Sequence, residues 1–250
     1  MTLPAHPAFD RFARHRLDVR QADVFPRLRG LLQRDGLVVV DGLTRLDVVA
    51  QFADRVMNRN RACGPYGLHE VQPGRYLRQE AVDRTRAPMN PHTAGAHLKL
   101  PPRLVLVVCA RSADTGGSSL LVDGQDLLSH FAREWLDDVG PLTRRSTMWI
   151  APGVSSPVFR LSQAGHCVLR LPSRPVLWSV AARHRREKLH VAAECTQRLL
   201  SLEAGQGYLL DNWRWAHGRT AFDGERLLYR VEGTPRFQMP AGFPTRVGAP

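Results

Sequence analysis

Short apolar runs separated by turns recur along the sequence and restrict its possible folds more than any other feature. Each run is three to six residues long and is bounded by glycine, proline or polar residues, a pattern typical of buried β-strands. The runs lie at 37–40, 104–109, 120–122, 146–150, 158–161, 167–171, 208–211 and 227–231. Many short strands, few helices and two histidines at strand ends predict a mainly β protein with flanking helices, built on a double-stranded β-helix (jelly-roll, cupin-like) core.

Four segments have the periodicity of amphipathic helices. Apolar residues at helical spacing mark 25–32 and 46–56, and Thr44 is the expected N-cap of the second of these helices. A third helix is predicted over 124–135, and the fourth and longest over 183–202. We expect these helices to pack on the outside of the barrel.

The length and composition fit one globular domain. A chain of 250 residues can form one complete domain with a sizeable core, and 43% hydrophobic with 23% charged residues excludes a disordered protein. We expect an N-terminal lead-in over 1–22, a single domain over 23–240 and a C-terminal tail over 241–250.

The amino terminus lacks a signal-peptide pattern, and no apolar run reaches the roughly 18 residues of a membrane span. The sequence therefore predicts a cytoplasmic protein without a membrane partner.

The chain is strongly basic, with a formal net charge of +12 at pH 7. Only Lys99 and Lys188 are lysines, and the arginines are spread along the whole length, so we expect no nucleic-acid partner. Net positive charge raises the association rate of acidic partners. The expected partner is therefore a small-molecule substrate, either anionic or tethered to a carrier protein.

The four cysteines are far apart and form no Cys-x-x-Cys pair, which argues against a zinc or redox motif.

Two histidine-containing segments lie at the ends of predicted strands. Residues 91–97 read PHTAGAH and precede an apolar strand, and residues 211–219 read DNWRWAHGR and follow one. Neutral imidazole is the commonest protein metal ligand, and two histidines with one carboxylate hold iron(II) in non-heme oxygenases. In that pattern the carboxylate comes two residues after the first histidine, where this chain has Ala94. The two histidines can hold a metal, but the third ligand is missing.

Six blocks in order give this sequence a resemblance to the TauD/TfdA and clavaminate-synthase-like 2-oxoglutarate-dependent dioxygenases. The blocks are 91–93, 101–103, 116–119 with 123–124, 207–212, 217–222 and 226–230, within a stretch from about residue 30 to about residue 235. The resemblance implies an enzyme that uses iron(II), 2-oxoglutarate and dioxygen. Alanine at position 94 resembles the 2-oxoglutarate-dependent radical halogenases, which would add chloride to these cofactors.

The resemblance also implies roles for individual residues. His92 and His217 match the metal ligands of the family. Arg230 matches the residue that takes the distal carboxylate of 2-oxoglutarate, Arg226 lies near the iron-side carboxylate, and Ser119 adds a hydroxyl where the family commonly has threonine. Arginine suits this task because its planar fork matches a carboxylate, and alternation along the predicted last strand puts both arginines on one face.

Residues 58–91 form a long arginine-rich segment without periodicity, interrupted by glycine and proline. A long irregular segment in a compact domain is commonly a functional loop, so we interpret it as a lid over the substrate. Arg75 and Arg78 in this lid, and His97 after the first histidine block, are candidate substrate-contacting residues.

The sequence favours one function and leaves two others open. A methyl group at position 94 leaves room for a halide beside the metal, without the repulsion of a carboxylate, so we expect halogenation of an unactivated C–H bond. A hydroxylase remains open, in which water or a substrate carboxylate replaces the ligand, or in which the alanine was introduced in place of an aspartate. A non-catalytic ligand-binding relative also remains open.

Overall fold

The computed structural model describes residues 11–60, 68–72 and 85–245. Strands predominate in this part of the chain, as the sequence predicts. The strands are β1 (Arg16–Asp18), β2 (Leu37–Asp41), β3 (Met57–Arg59), β4 (His69–Val71), β5 (Met89–His92), β6 (Leu104–Arg111), β7 (Thr115–Gly116), β8 (Ser119–Asp123), β9 (Met148–Ala151), β10 (Val154–Ser156), β11 (Phe159–Leu161), β12 (His166–Leu169), β13 (Leu177–Trp178), β14 (Arg198–Leu200), β15 (Gly207–Asp211), β16 (Trp215–Arg219), β17 (Phe222–Asp223), β18 (Leu227–Pro235) and β19 (Phe243–Pro244). The α-helices are α1 (Val24–Asp35), α2 (Leu46–Val56), α3 (Gly124–Glu134), α4 (Val139–Thr143), α5 (Val180–Arg183) and α6 (Arg186–Thr196).

A seven-stranded sheet forms one wall of the barrel. Its order is β1-β2-β15-β6-β18-β3, and β4 pairs with β18 outside that path. Strand β15 lies antiparallel between β2 and β6, and β18 runs antiparallel to β6 on its other side. In this register Tyr208 and Arg230 both lie opposite Val107, so the two polar side chains flank the same position of β6.

A four-stranded sheet in the order β14-β8-β16-β5 forms the opposite wall. The buried cluster between the walls takes Leu37, Val107 and Tyr208 from the large sheet, and Leu121 and Leu200 from the small one. The two sheets therefore enclose one interior, as expected for a jelly roll.

Alternation along the strands separates this interior from the helices outside it. Leu37 and Val39 of β2 belong to the interior cluster, whereas Val38 and Val40 pack with helices α1 and α2. On the other wall, Ala216 of β16 packs in a third cluster together with residues of α3 and α6. The predicted placement of helices outside the barrel is confirmed. None of the helices in the described part of the chain combines the length and apolarity needed to cross a membrane.

The predicted helix over 183–202 is wrong in its extent. Helix α6 covers only Arg186–Thr196, and the residues after it form β14 on the edge of β8. Leu200 is buried between the sheets opposite Ser119, so strand pairing and burial outweigh helical propensity there. The predicted N-cap Thr44 is also wrong, because α2 begins after Arg45 and no side chain caps it.

Residues on both sides of the predicted domain contribute to the folded core. In the predicted lead-in, β1 pairs in parallel with β2, and Phe12, His15 and Leu17 are buried. In the predicted tail, Phe243 is buried and pairs with Cys167 of β12. The bounds 23–240 remain a prediction, but the described chain on either side of them packs with the rest of the domain.

Candidate active site

The two histidines of the sequence motifs lie next to each other on neighbouring strands. His92 is the last residue of β5 and is paired directly with His217 of β16. Their ring centroids are 4.7 Å apart, and the residues are 5% and 4% exposed. Histidines that are 125 residues apart in the sequence are therefore side by side in the small sheet.

Gly218 allows the two histidine strands to approach this closely. A Cβ atom at position 218 would lie 2.3 Å from the main-chain oxygen of Met89, so any larger residue would force β5 and β16 apart. The pairing of β16 with β5 also shifts register between His217 and Arg219. The irregularity lies directly beside the histidine pair, as is common for bulges near active sites.

Neutral imidazole is the form that binds metals, and the surroundings of His217 favour it. The Nδ1 atom of His92 lies 3.1 Å from the main-chain oxygen of Asn90, and a carbonyl can only accept, so Nδ1 carries the hydrogen. The ligating lone pair of His92 is then on Nε2. Burial, His92 and Arg230 lower the pKa of His217 well below its ordinary value, and its Nδ1 is buried without a hydrogen-bond partner among the described residues. The donor set therefore fits a divalent metal with imidazole ligands.

No carboxylate completes this pair in the described part of the chain. Ala94 occupies the position two residues after His92 and is 1% exposed. Within residues 11–60, 68–72 and 85–245, no group of three or more histidine, cysteine, aspartate or glutamate side chains is arranged to hold a metal. The protein ligands that this part of the chain offers are therefore the two imidazoles.

A small cavity between the two walls of the barrel lies beside His217. Its volume is about 40 Å³, enough for roughly three water molecules and thus for a carboxylate group. It is lined by Val71, Met89, Val107, Ser119, Tyr208, His217, Gly218, Arg219, Arg226, Leu228 and Arg230. Three of these residues, Ser119, Arg226 and Arg230, are those that the family resemblance indicated for 2-oxoglutarate.

Arg226 is a buried cation without an acidic partner. It is 6% exposed, its Nη2 donates to the main-chain oxygen of Gly117 at 3.0 Å, and no carboxylate among the described residues forms an ion pair with it. Gly117 has a φ of +72°, and a Cβ there would lie 3.1 Å from the Arg226 Nε, so glycine gives the guanidinium its room. Burial lowers the pKa of Arg226 from its ordinary value. Because an unpaired buried charge is costly, this site calls for an anion.

Arg230 lies on β18 beside the same cavity. It forms an ion pair with Glu232, while its buried Nε has no hydrogen-bond partner among the described residues. The guanidinium pairs with Glu232 through Nη2, and its Nε–H remains available to donate a hydrogen bond to a carboxylate. The structure brings Arg226 and Arg230 to one cavity, although Arg226 itself lies one residue before the strand begins.

Sequence reasoning missed Tyr208 and Arg219 in this cavity. Burial raises the pKa of Tyr208 to about 12, so its hydroxyl stays protonated, and it shares a hydrogen bond with Ser119. Arg219 is 4% exposed and donates to the main-chain oxygen of Thr85. Tyr208 could have been found, because alternation along β15 puts it on the same inward face as Leu210.

The remaining predicted site residues are not brought to the cavity. His97 is exposed in the turn after β5 and is not among the residues that line the cavity. Arg75 and Arg78 lie outside the described residues. The described parts of the predicted lid do contribute to the site, because Val71 of β4 and Met89 of β5 line the cavity.

The chain belongs to the taurine catabolism dioxygenase TauD, TfdA family, whose model matches residues 4–231. This membership confirms the resemblance seen in the sequence, and it agrees with the expected cofactors, iron(II) and 2-oxoglutarate. A trimethyllysine dioxygenase from Meyerozyma guilliermondii is 25% identical over 171 residues, which cover 58% of this chain and 41% of the relative. The chain thus matches less than half the length of this curated relative.

Solved structures of oxygenases share the fold. An asparagine oxygenase in complex with Fe(II), 2S,3S-3-hydroxyasparagine and succinate has a TM-score of 0.64 at 16% identity, covering 83% of this chain and 78% of that chain. The non-heme iron oxygenase OrfP in complex with Fe and alpha-ketoglutaric acid has a TM-score of 0.62 at 16% identity, covering 82% and 76%. The predicted fold class, a jelly-roll core with flanking helices, is confirmed.

Proposed function

We propose that this protein is an iron(II)- and 2-oxoglutarate-dependent oxidoreductase that functionalises an unactivated C–H bond of a small metabolite. The observation that carries the proposal is the buried guanidinium of Arg226, which has no acidic partner among the described residues and faces the same cavity as His217. A cation buried in this way needs an anionic ligand, and a dicarboxylate that also reaches a metal at the histidines meets that need.

Each residue of the site has a specific task in this proposal. His92 and His217 would hold the metal through neutral imidazoles. Arg230 would take the distal carboxylate of 2-oxoglutarate, and Arg226 would neutralise charge nearer the metal. Ser119 would add a hydroxyl to these contacts. When bound, iron(II), 2-oxoglutarate and dioxygen supply the oxidant that removes hydrogen from carbon.

Ala94 favours halogenation over hydroxylation within this class. A buried methyl group cannot ligate a metal, so one more position is left for an exogenous ligand. Chloride can occupy that position without the repulsion that a neighbouring carboxylate would exert. A hydroxylase that takes water in the same position is the second candidate, and it is favoured by the oxygenase activities named for the relatives and structural neighbours. A non-catalytic binding protein is the third candidate.

A basic groove beside the site supports an anionic substrate, free or tethered to a carrier. The groove has a volume of about 960 Å³ and is bordered by Asn90 and Pro91, immediately before His92 in β5. Arg183 and Arg186 line it from α5 and α6, and neither forms an ion pair with a described residue. Neighbouring Arg185 and Lys188, by contrast, share an ion pair with Asp138, at 2.8 and 2.6 Å. Glu187 also lines the groove, so the two arginines leave it with a net positive lining from these helices.

The test of the proposed function is product analysis by mass spectrometry. The native protein is supplied with iron(II), 2-oxoglutarate, dioxygen and saturating chloride, together with a panel of acidic and neutral metabolites. We expect chlorinated products from compounds that carry a carboxylate or phosphate, and loss of chlorination in Ala94→Asp, because the new carboxylate occupies the halide position. Oxygenated products without halogen would favour the hydroxylase, and turnover restricted to neutral compounds would contradict the anionic substrate. Absence of 2-oxoglutarate consumption by either form would favour a binding protein.

Replacing Arg230 by alanine is expected to weaken 2-oxoglutarate binding at least about tenfold and to leave metal binding intact. Truncating one partner of a buried charged hydrogen bond costs about 2–5 kcal/mol, and about 1.4 kcal/mol corresponds to tenfold in affinity. Isothermal titration calorimetry under anaerobic conditions measures 2-oxoglutarate binding to the metal-loaded protein and metal binding to the metal-free protein. Arg236→Ala is the matched control, because Arg236 is exposed just beyond β18. An unchanged dissociation constant in Arg230→Ala would mean that the carboxylate binds elsewhere.

A further inference from the structure

Asn212 forms an unusual set of hydrogen bonds with the residue at the missing-ligand position. It lies in the turn between β15 and β16 and is 1% exposed. The main-chain N–H of Ala94 donates to Asn212 Oδ1 at 2.7 Å. Asn212 Nδ2 in turn donates to the main-chain oxygens of Ala94 and Pro102, each at 2.9 Å. One buried side chain therefore satisfies both main-chain polar groups of Ala94.

The turn that carries Asn212 is itself held in place. Arg103 donates to both carboxylate oxygens of Asp211, at 2.6 and 2.8 Å, and its main-chain oxygen accepts from the N–H of Asn212 at 2.8 Å. The N–H of Arg214 donates to the main-chain oxygen of Asp211 at 2.9 Å, which closes the turn. Since these bonds come from buried groups, Asn212 has a fixed position from which to hold Ala94.

Thr93 and Ala94, the two residues that follow β5, form hydrogen bonds with different elements of the fold. Thr93 is bonded through its N–H to the main-chain oxygen of Leu171 at 2.8 Å, and its hydroxyl accepts from the N–H of Leu171 at 3.1 Å. Ala94 is bonded to Asn212, five residues before His217. The position of residue 94 is thus fixed relative to the turn that precedes β16, the strand that carries His217.

We propose that Asn212 is a positioning residue that keeps residue 94 at a fixed distance from the two histidines, so that the vacant ligand position stays open. A carboxylate at position 94 would be held there by its own bond to the metal. Alanine makes no such bond, so its main chain must be held by other contacts, and Asn212 supplies them on both sides of the residue. The inference rests on the proposed function in one respect, namely that His92 and His217 hold a metal.

A double-mutant cycle on cobalt(II) affinity tests this inference without relying on turnover. Cobalt(II) is a suitable probe because imidazole and carboxylate sites bind it and it is stable in air. In the native background, Ala94→Asp adds a third ligand and is expected to tighten cobalt(II) binding by at least about tenfold. In the Asn212→Ala background residue 94 is no longer held, so the same substitution is expected to gain less than about threefold.

Two further variants distinguish positioning from a loss of stability. Gln125 is also a buried side-chain amide, accepting from Arg214 at 3.2 Å, so Gln125→Leu should lower thermal stability but keep the full gain from Ala94→Asp. Asn212→Ser replaces the alanine variant if the latter does not fold, because the shorter side chain cannot bond both groups of Ala94.

Two outcomes would overturn the inference. The first is an equal gain from Ala94→Asp with and without Asn212, which would mean that residue 94 is held by other contacts. The second is no gain even with Asn212 present, which would mean that residue 94 does not face the metal position. If cobalt(II) binding still required His92 and His217 in that case, the proposed metal site would remain.

Discussion

Replacing Asp211 by alanine is expected to lower the free energy of unfolding by about 3–5 kcal/mol, because it breaks a buried ion pair and leaves a charge behind. The Arg103 and Asp211 side chains are 9% and 4% exposed, and Asp211 also accepts from the main-chain N–H of Trp213 at 3.0 Å. The Arg103 guanidinium stacks over the Trp213 ring at 4.1 Å, so it cannot leave for solvent without losing this contact. Denaturant unfolding followed by circular dichroism measures the loss.

An exposed ion pair provides the control for this prediction. Arg45 and Asp47 lie 2.8 Å apart with side-chain exposures of 74% and 35%, and such pairs contribute about 0–1 kcal/mol. We therefore expect Arg45→Ala to change the unfolding free energy by no more than about 1 kcal/mol. If Asp211→Ala cost no more than Arg45→Ala, the ion pair would not have the structural importance that its burial implies.

Replacing either His92 or His217 by alanine is expected to abolish stoichiometric metal binding. The two imidazoles are the ligands that the described part of the chain offers, and a single remaining histidine cannot hold iron(II) or cobalt(II) against water. Anaerobic titration with iron(II), followed by removal of free metal and quantification of the retained ion, measures this directly. We expect one ion per native chain and none in either variant.

Two other histidines serve as controls for the metal prediction. His190 lies on α6, with its side chain 49% exposed beside Glu194, and His97 is exposed in the turn after β5. We expect His190→Ala and His97→Ala to retain one metal ion per chain. Full retention in His217→Ala, or loss in His97→Ala, would mean that the ligand set is different.

The sequence predicts the histidine pair and the two arginines through the ordered blocks that resemble the family, because the two histidines are 125 residues apart and no local spacing joins them. His92 precedes one predicted apolar strand and His217 follows another, and the structure pairs them directly across β5 and β16. Arg226 and Arg230 line one cavity, but alternation along a regular strand does not explain this, because Arg226 precedes β18 and the pairing of β18 with β6 shifts register between Leu227 and Leu228. Periodicity and turn residues place these side chains near the ends of strands, and the family resemblance was needed to assign them to one site.

The interactions that complete the site depend on tertiary contacts that local patterns do not contain. The amide of Asn212 reaches Ala94, 118 residues away in the sequence, and nothing in a run of polar residues indicates that partner. The extent of helix α6 was mispredicted for a similar reason, because the edge of β8 and the burial of Leu200 determine where the helix ends. The spacing of apolar residues in the sequence indicates neither the hydrogen bonds between Asn212 and Ala94 nor the position at which α6 ends.

The most direct test of the central claim is the absorption spectrum of the anaerobic iron(II) protein during titration with 2-oxoglutarate and then with chloride. We expect a metal-to-ligand charge-transfer absorption band that saturates at one 2-oxoglutarate per chain. We further expect chloride to shift this band in the native protein but not in Ala94→Asp, because only alanine leaves the ligand position open. Absence of the band would contradict the iron and 2-oxoglutarate site itself. A band that chloride does not shift, or shifts equally in both proteins, would contradict the open ligand position at Ala94.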